Sequence, residues 1–423
     1  MKTACLSFFF ILILAIVGCK KEPGIVSTVR DLGFSSSVNK TIKSNNYFAF
    51  NLLKKVNYNL NADSNFLFPT LPVSIGLGML YNGASGKTAT QINQVWNVNS
   101  QSASDINMSF KTIKNAFTIL DSKVSIYLAN SNWFKDSVIQ SFIDVTQNDY
   151  FADSKKVAFS NGLVGTLNQW IGENTNYNIK TLVDTVSRYN SLLQIDAMYF
   201  KGAWSTAFNS FFTSNQVFIL RNGDSLKANG GVPTMVQKQP YLYYIDDWME
   251  VTEVPFGYDG NYNMVFLLPK IGKSVDDIIN QLDDTYWNSI VSAYKVNTNL
   301  QIYIPKFKLV TTYTLKDILS QMGLDSLFSP TDANFTTLNA TAKIYLSNVI
   351  QKIQFQIGET GIANAGVVIQ NISASSAAGS MYQYYPLQLN RPFLFMLREK
   401  YSNTIILIGK LNNPAQCPNN DKL

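Results

Sequence analysis

The sequence predicts an α+β fold rich in sheet, and three features carry that prediction. Runs of strand length built from β-branched and aromatic residues recur along the chain, and two early segments place apolar residues at helical spacing. With 423 residues, 46% apolar and 13% aromatic, the chain has ample material for a large core. No internal repeat, low-complexity block or second linker interrupts residues 45–414, which therefore read as one globular unit.

At the N-terminus, Met1 and Lys2 precede a nearly continuous apolar stretch from Ala4 to Val17, ending Ile16-Val17-Gly18-Cys19. A short positive start, an apolar core and a small residue describe a secretory signal, too short and wrongly flanked to remain as a membrane span. Residues 1–18 are therefore expected to be removed. Cys19 after a small residue resembles the lipobox of bacterial lipoproteins, in which that Cys becomes the acylated first residue, although Ile16 and Val17 stand where Leu and Ala or Ser are commoner. The expected location is the bacterial cell envelope, lipid-anchored, surface-exposed or secreted forms remaining open. The outer membrane is preferred because Lys20 and Lys21 do not resemble an inner-membrane retention signal. Residues 19–44 are polar, contain Pro23 and Gly24 and lack sustained periodicity, as suits a tether; residues 415–423 form a tail. With Cys5 removed and Cys19 acylated, Cys417 is the one cysteine left of three, so no intramolecular disulfide can form.

Within the body, Asn45 to Val56 sets Phe48, Leu52, Leu53 and Val56 at helical spacing, and Pro72 to Tyr81 opens a second helix behind its proline. Strands are expected at 125–129, 193–200, 263–268, 300–304, 344–350, 393–397 and 405–408. Asp276-Asp277 and Asp283-Asp284, with Ile278, Ile279 and Leu282 between them, read as the solvated face and end of a helix rather than a cation site.

Composition excludes whole classes of function. The chain has no histidine, which removes Ser-His and Cys-His catalysis and His-containing zinc sites. A net charge of +6 without a long basic run is no nucleic-acid footprint. Gly83-Ala84-Ser85-Gly86-Lys87-Thr88 ends like a phosphate-binding loop, but Tyr81 stands where the first glycine of that motif belongs and the preceding pattern is helical. No pattern calls for a metal or a cofactor, and no enzymatic activity is expected.

A longer series of motifs is more specific. Val73-Ser74-Ile75, Met79-Leu80 and Gly83 to Thr88 are followed in order by Ala129-Asn130, Tyr150-Phe151 and Asn168-x-Trp170-Ile171 with Thr175. Then come Asp196 to Trp204 with Phe208, Val232 to Gln237, Met264 to Pro269 and Ile304-Pro305-Lys306-Phe307. Leu319-x-x-Met322-Gly323-Leu324, Gln351-Lys352, Asn390 to Phe395 and Gly409-Lys410-Leu411-x-x-Pro414 complete the series. Together they resemble the serpin family over nearly the whole globular part. The resemblance implies a large central β-sheet with two smaller sheets, helices around them and an exposed reactive loop.

The loop is read on its own chemistry, because the family includes non-inhibitory binding proteins. Ile357-Gly358-Glu359-Thr360-Gly361-Ile362 matches the segment at which the family's loop leaves the sheet, and the hinge comprises Glu359, Thr360, Gly361, Ile362, Ala363, Asn364 and Ala365. From Thr360 to Asn390 there is no charged residue, and between Gly361 and Tyr385 no proline. A segment with neither can become a buried strand. Ile362, Asn364, Gly366 and Val368 belong to the alternate set that turns inward on insertion; Ile362 replaces the usual Thr or Ser, and Asn364 the usual small residue. The resemblance implies suicide inhibition: a serine protease attacks the loop, is held as an acyl-enzyme, and travels with the loop as it inserts.

Counting forward from Gly361 places the scissile bond at Ser375-Ser376, whereas counting back from Asn390-Arg391-Pro392 gives Met381-Tyr382. The forward count is preferred because it preserves the length of strand before the cut; Ala374, Ala377 and Ala378 remain candidates. No Lys or Arg lies between Ile353 and Asn390, so trypsin-like targets are disfavoured and elastase-like or subtilisin-like pockets fit better. By family match, Ser74, Asp196 and Gln351 form a polar cluster beneath the sheet's opening, Gln351 donating to Asp196, with Trp204 near the top of the sheet. The expected partners are the target protease, in covalent complex, and the membrane through Cys19; nucleic acid is not expected, and the protein is expected to be a monomer.

Overall fold

The computed structural model describes residues 32–181, 183–227, 230–362 and 384–416. Helix α1 (Ser36–Asn59) begins at Ser35, whose side chain accepts from the Val38 amide. The folded body therefore starts nine residues earlier than the tether assigned to residues 19–44 allows. Val38 and Ile42 are buried, and so are polar residues that a linker would expose. Ser44 donates to the Asn97 carbonyl at 2.8 Å, Asn45 to the Ile405 carbonyl at 2.9 Å and Asn46 to the Asn403 carbonyl at 2.8 Å. These bonds satisfy the buried side-chain donors, which is why a polar stretch can be part of the core.

The chain continues through β1 (Phe66–Pro69), α2 (Thr70–Tyr81), α3 (Gly86–Trp96), α4 (Ala103–Ile119), β2 (Val124–Phe134), α5 (Gln140–Tyr150), β3 (Asp153–Lys156), α6 (Leu163–Asn174) and β4 (Leu192–Ala203). Short strands β5 (Ser214–Gln216), β6 (Phe218–Ile219) and β7 (Ser225–Leu226) lead to β8 (Val232–Lys238), β9 (Tyr241–Ile245), β10 (Met249–Phe256) and β11 (Tyr262–Pro269). Next come α7 (Val275–Gln281), α8 (Asp284–Ala293), β12 (Lys295–Asn297), β13 (Leu300–Pro305), β14 (Phe307–Thr314), α9 (Lys316–Leu319) and α10 (Asp325–Phe328). The last strands are β15 (Leu346–Gly358), β16 (Gly361–Ile362), β17 (Tyr385–Gln388), β18 (Phe393–Glu399) and β19 (Ile405–Leu411).

Three larger sheets organise these elements, beside a two-stranded one of β6 and β7. A seven-stranded sheet runs β1-β19-β18-β11-β10-β9-β12, a four-stranded one β17-β13-β8-β5, and a six-stranded one, with the longest strands, β14-β15-β16-β4-β2-β3. Helix α2 is buried from Thr70 to Leu80 and lies against the six-stranded sheet so closely that a Cβ on Gly76 would stand 1.6 Å from the Gln194 amide nitrogen. On the opposite face, α6 and the segment after it form a second small core, in which Leu167, Trp170, Ile171, Ile179 and Val183 meet Trp133, Leu193 and Ile195.

The other sequence motifs resolve into structural roles. Gly86 opens α3, and buried Thr88 bonds to Ser326 at 3.2 Å and to the Asn334 amide at 2.9 Å. The acidic cluster marks the starts of two helices rather than one helix's face and end: Asp277 completes a capping box with Ser274, and Asp283 caps α8 through the Tyr286 amide. No helix among the described residues is long and apolar enough to cross a membrane.

One ion pair lies wholly inside. Arg398 on β18 meets Glu253 on β10 at 2.7 Å with both side chains at most 2% exposed, and Asn263 donates to the same carboxylate at 2.6 Å. Removing one partner strands a buried charge. Glu253→Ala is expected to destabilise the fold by about 3–5 kcal/mol, read as a lower denaturant midpoint, with a smaller loss when Arg398→Met is added.

Candidate functional site

The site is a place where a sheet stops pairing. Strands β15 and β4 run parallel and pair from Leu346 and Leu192 up to Lys352 and Ala197, with one register shift between Leu346 and Asn348. Above that point they part. At the top, β16 fills the space, Gly361 and Ile362 pairing with Gly358 and Ile357 on one side and with Ala203 and Gly202 on the other. Between these ladders, residues 198–201 and 353–356 face one another with no strand between them among the described residues, although each strand keeps its outer partner, β2 or β14. Backbone edges so exposed are a template for another strand.

The hinge is fastened at the top of this slot. Gly361 has φ of 137°, and a Cβ there would come within 2.0 Å of the Gly202 carbonyl oxygen, so only glycine fits. Ile362 is 1% exposed, already seated in the sheet. Trp204 stacks on Phe256 with ring centres 4.2 Å apart and donates through Nε1 to the Gly358 carbonyl at 2.8 Å, while its amide donates to Thr360. The Glu359 carboxylate accepts from Lys306 at 3.0 Å and from Thr213 at 3.0 Å. Burial alone raises its pKa, but the bonds from Lys306 and Thr213 and the Lys306 charge outweigh that and hold it below the usual carboxylate range.

At the lower end lies Asp196, fully buried on β4 between Gln351 of β15 and Asn130 of β2. Its carboxylate accepts from Asn130 at 2.7 Å and from Gln194 at 3.1 Å. The expected bond from Gln351 is absent: Gln351 donates to the Pro69 carbonyl at 3.1 Å, because α2 begins directly beneath it. Ser74 belongs to the same buried layer, but its hydroxyl has no hydrogen-bond partner among the described residues. Trp204 is not part of this cluster either. It stands eight residues further on, just past the end of β4 and roughly 26 Å away at ~3.3 Å per residue, and serves the hinge.

Residues 43–414 match the family model described as serpin, serine protease inhibitor. The chain belongs to the serpin family. A leukocyte elastase inhibitor from Xenopus laevis is 28% identical over 381 residues, covering 87% of this chain and 98% of that relative. Tengpin, a thermophilic serpin in its native state, shares the fold at TM-score 0.79 and 24% identity, over 88% of this chain and 94% of its own. Human thyroxine-binding globulin shares it at TM-score 0.78 and 20% identity, over 90% and 100%. Serpins as a family are inhibitors of serine proteases rather than catalysts.

In this serpin the structure brings Glu359, Thr360, Gly361, Ile362 and Trp204 together at one end of the slot and Ser74, Asp196 and Gln351 at the other. Cys19, Ala363, Asn364, Ala365, Ser375, Ser376, Met381 and Tyr382 lie outside the described residues. Sequence reasoning missed the functions of Asn130 and Gln194. Gln194 was detectable, since a residue two places before Asp196 on a strand shares its face. It also missed Lys114, buried on α4, whose ammonium donates to the Tyr150 carbonyl. Burial lowers its pKa to about 7, against the pull of Asp196. Burial likewise raises Asp196 to about 7, opposed by the bonds from Gln194 and Asn130 and by the Lys114 charge.

The sign of the pH effect follows. With the folded pKa of Asp196 raised, the native state holds a proton that the unfolded chain has released, so this residue costs stability as pH rises from about 4 to about 7. Asp196→Asn is expected to stabilise the intact serpin at pH 7.5 by on the order of 2 kcal/mol, read as a higher melting point, with little change at pH 4. Melting curves across that range check this.

Proposed function

We propose that this serpin is a suicide inhibitor of serine proteases, held at the bacterial cell envelope by a lipid on Cys19, with elastase-like or subtilisin-like targets preferred over trypsin-like ones. The observation that carries the reading is the half-open slot. Two strand edges stand apart with the first two residues of a third strand seated between them, and the segment that follows has no charge as far as Asn390.

A protease that attacks this segment as substrate frees its leading end, which can then follow Ile362 down the slot. About fifteen residues would add a strand of roughly 50 Å at ~3.3 Å per residue, each gaining on the order of 1 kcal/mol from new ladder bonds. Insertion into a sheet is an established class of switch. Full insertion must also part the ladder from Leu346 to Lys352 and slide beneath the segment that follows α6. Ile362, which departs from the family's usual Thr or Ser, is buried and paired with the strands on both sides of it. Its place in the sheet favours an inhibitor over a binding protein with a fixed loop.

The membrane assignment rests on the signal-like N-terminus and on Cys19. With α1 beginning at Ser36, residues 19–35 would allow the body to stand at most roughly 60 Å from the lipid at the ~3.5 Å per residue maximum.

Incubation with pancreatic elastase and with subtilisin tests the inhibitor. A complex that survives denaturing gels is expected, together with a nicked form that melts well above the intact one; cleavage with release of active protease and no rise in melting point would support a non-inhibitory binding protein. Peptide mapping of the complex is expected to place the cut at Ser375-Ser376. For the anchor, Cys19→Ser is expected to move the protein from the detergent phase to the aqueous phase, and an unchanged partition would remove Cys19 from the account.

A further inference from the structure

The gap between β4 and β15 holds a cavity of about 270 Å³ bordered by Tyr199, Lys201, Gln354, Gln356, Asn176 and Asn178. Side chains alternate along a strand, so Tyr199 and Lys201 share one face of the sheet, as do Gln354 and Gln356. This is the outer face, the one that α6 covers further down. Met198 and Ile179 give the cavity a small apolar wall.

Its chemistry is lopsided. No acidic side chain borders it, and Lys201 forms no ion pair among the described residues. The Gln354 and Gln356 amides each offer both donors and an acceptor. The backbone edges of residues 198–201 and 353–356 add further groups that no strand pairing among the described residues uses. One cation, amides that donate and accept, and a tyrosine suit a small anion that also carries hydroxyl groups. The volume lies just below the ~300–1,000 Å³ of sites for drug-sized ligands, which limits the occupant to about one sugar ring.

We propose that this cavity is a binding site for a small hydroxylated carboxylate of the sugar-acid kind, and that its occupancy competes with insertion of the loop. The site rests on the geometry alone; the competition rests on the inhibitor reading above. Ile362 turns inward, so the residue after it in an inserted strand would point to the outer face and enter the space the ligand fills. A ligand that binds the intact form and not the inserted form stabilises the former by mass action, and an attacked loop that inserts late is hydrolysed instead of trapping the protease.

D-glucuronate is the probe, with D-glucose and sodium chloride at matched ionic strength as comparisons. Glucuronate is expected to raise the melting point of the intact protein by a few degrees, more than either comparison, and to leave the nicked form unmoved. In Lys201→Gln the shift is expected to vanish, and in Gln354→Leu, a second variant in case the first folds poorly, to fall by at least half. Saturating glucuronate is expected to at least double the number of serpin molecules consumed per protease trapped. An equal shift with chloride, a shift retained in both variants, or an equal shift in the nicked form would overturn the site. An unchanged consumption ratio alongside the expected melting shift would overturn the competition. If the ligand-free protein traps no protease at all, the inhibitor reading fails instead, and the melting comparison still decides the site.

Discussion

Residues 198–201 and 353–356 hold backbone groups that face one another across a space that no strand among the described residues fills. Main-chain donors and acceptors left unpaired inside a sheet are a standing free-energy deficit, since their natural partners are other strands. Much of the surrounding structure is arranged around that deficit. Strands β2 and β14 keep the outer edges of the two long strands paired, so the sheet stays intact while its middle stays open.

The two ends of the gap are fastened by different chemistry. At the top, Glu359 is mostly covered and answered by a lysine and a threonine, and the turn it anchors is held by Trp204 from two directions. At the bottom, Asp196 receives only amide donors, and the cation that acts on it, Lys114, is itself buried and gives its hydrogen bond to a carbonyl. One fastening is well compensated; the other keeps ionisable groups where burial disfavours their charge. The change of state proposed above would gain from having one end that holds and one end that is ready to yield.

Most of the architecture was legible because strand-length apolar runs are strong signals, and β4, β11, β13, β18 and β19 fall where such runs stand. The limits were physical. Strand β15 runs on to Gly358, well past the apolar run at 344–350, because Lys352, Gln354 and Gln356 alternate with Ile353, Phe355 and Ile357 and dilute the apolar signal. The start of α1 was concealed by asparagines and serines whose burial depends on carbonyls far away in sequence, such as those of Asn403 and Ile405. Family matching found Asp196 and Gln351 as neighbours, yet direction decides a hydrogen bond, and only the packing of α2 shows that Gln351 turns toward Pro69. The pairing of Lys114 with that site had no local signature at all.

The small core under α6 has a consequence for time rather than for equilibrium. Trp170, Ile171, Ile179 and Val183 grip the outer face across β2 and β4, Asn168 holds Val183 through both its amide and its carbonyl, and Lys352 on β15 donates to the carbonyl of Thr181. A strand sliding toward the lower half has to break that grip before it gains its own bonds there. For the insertion proposed above, the patch would act as a brake: it would set how long an unbroken molecule lasts before it relaxes by itself, and a few methyl groups more or fewer in it would lengthen or shorten that lifetime without altering where the relaxation ends.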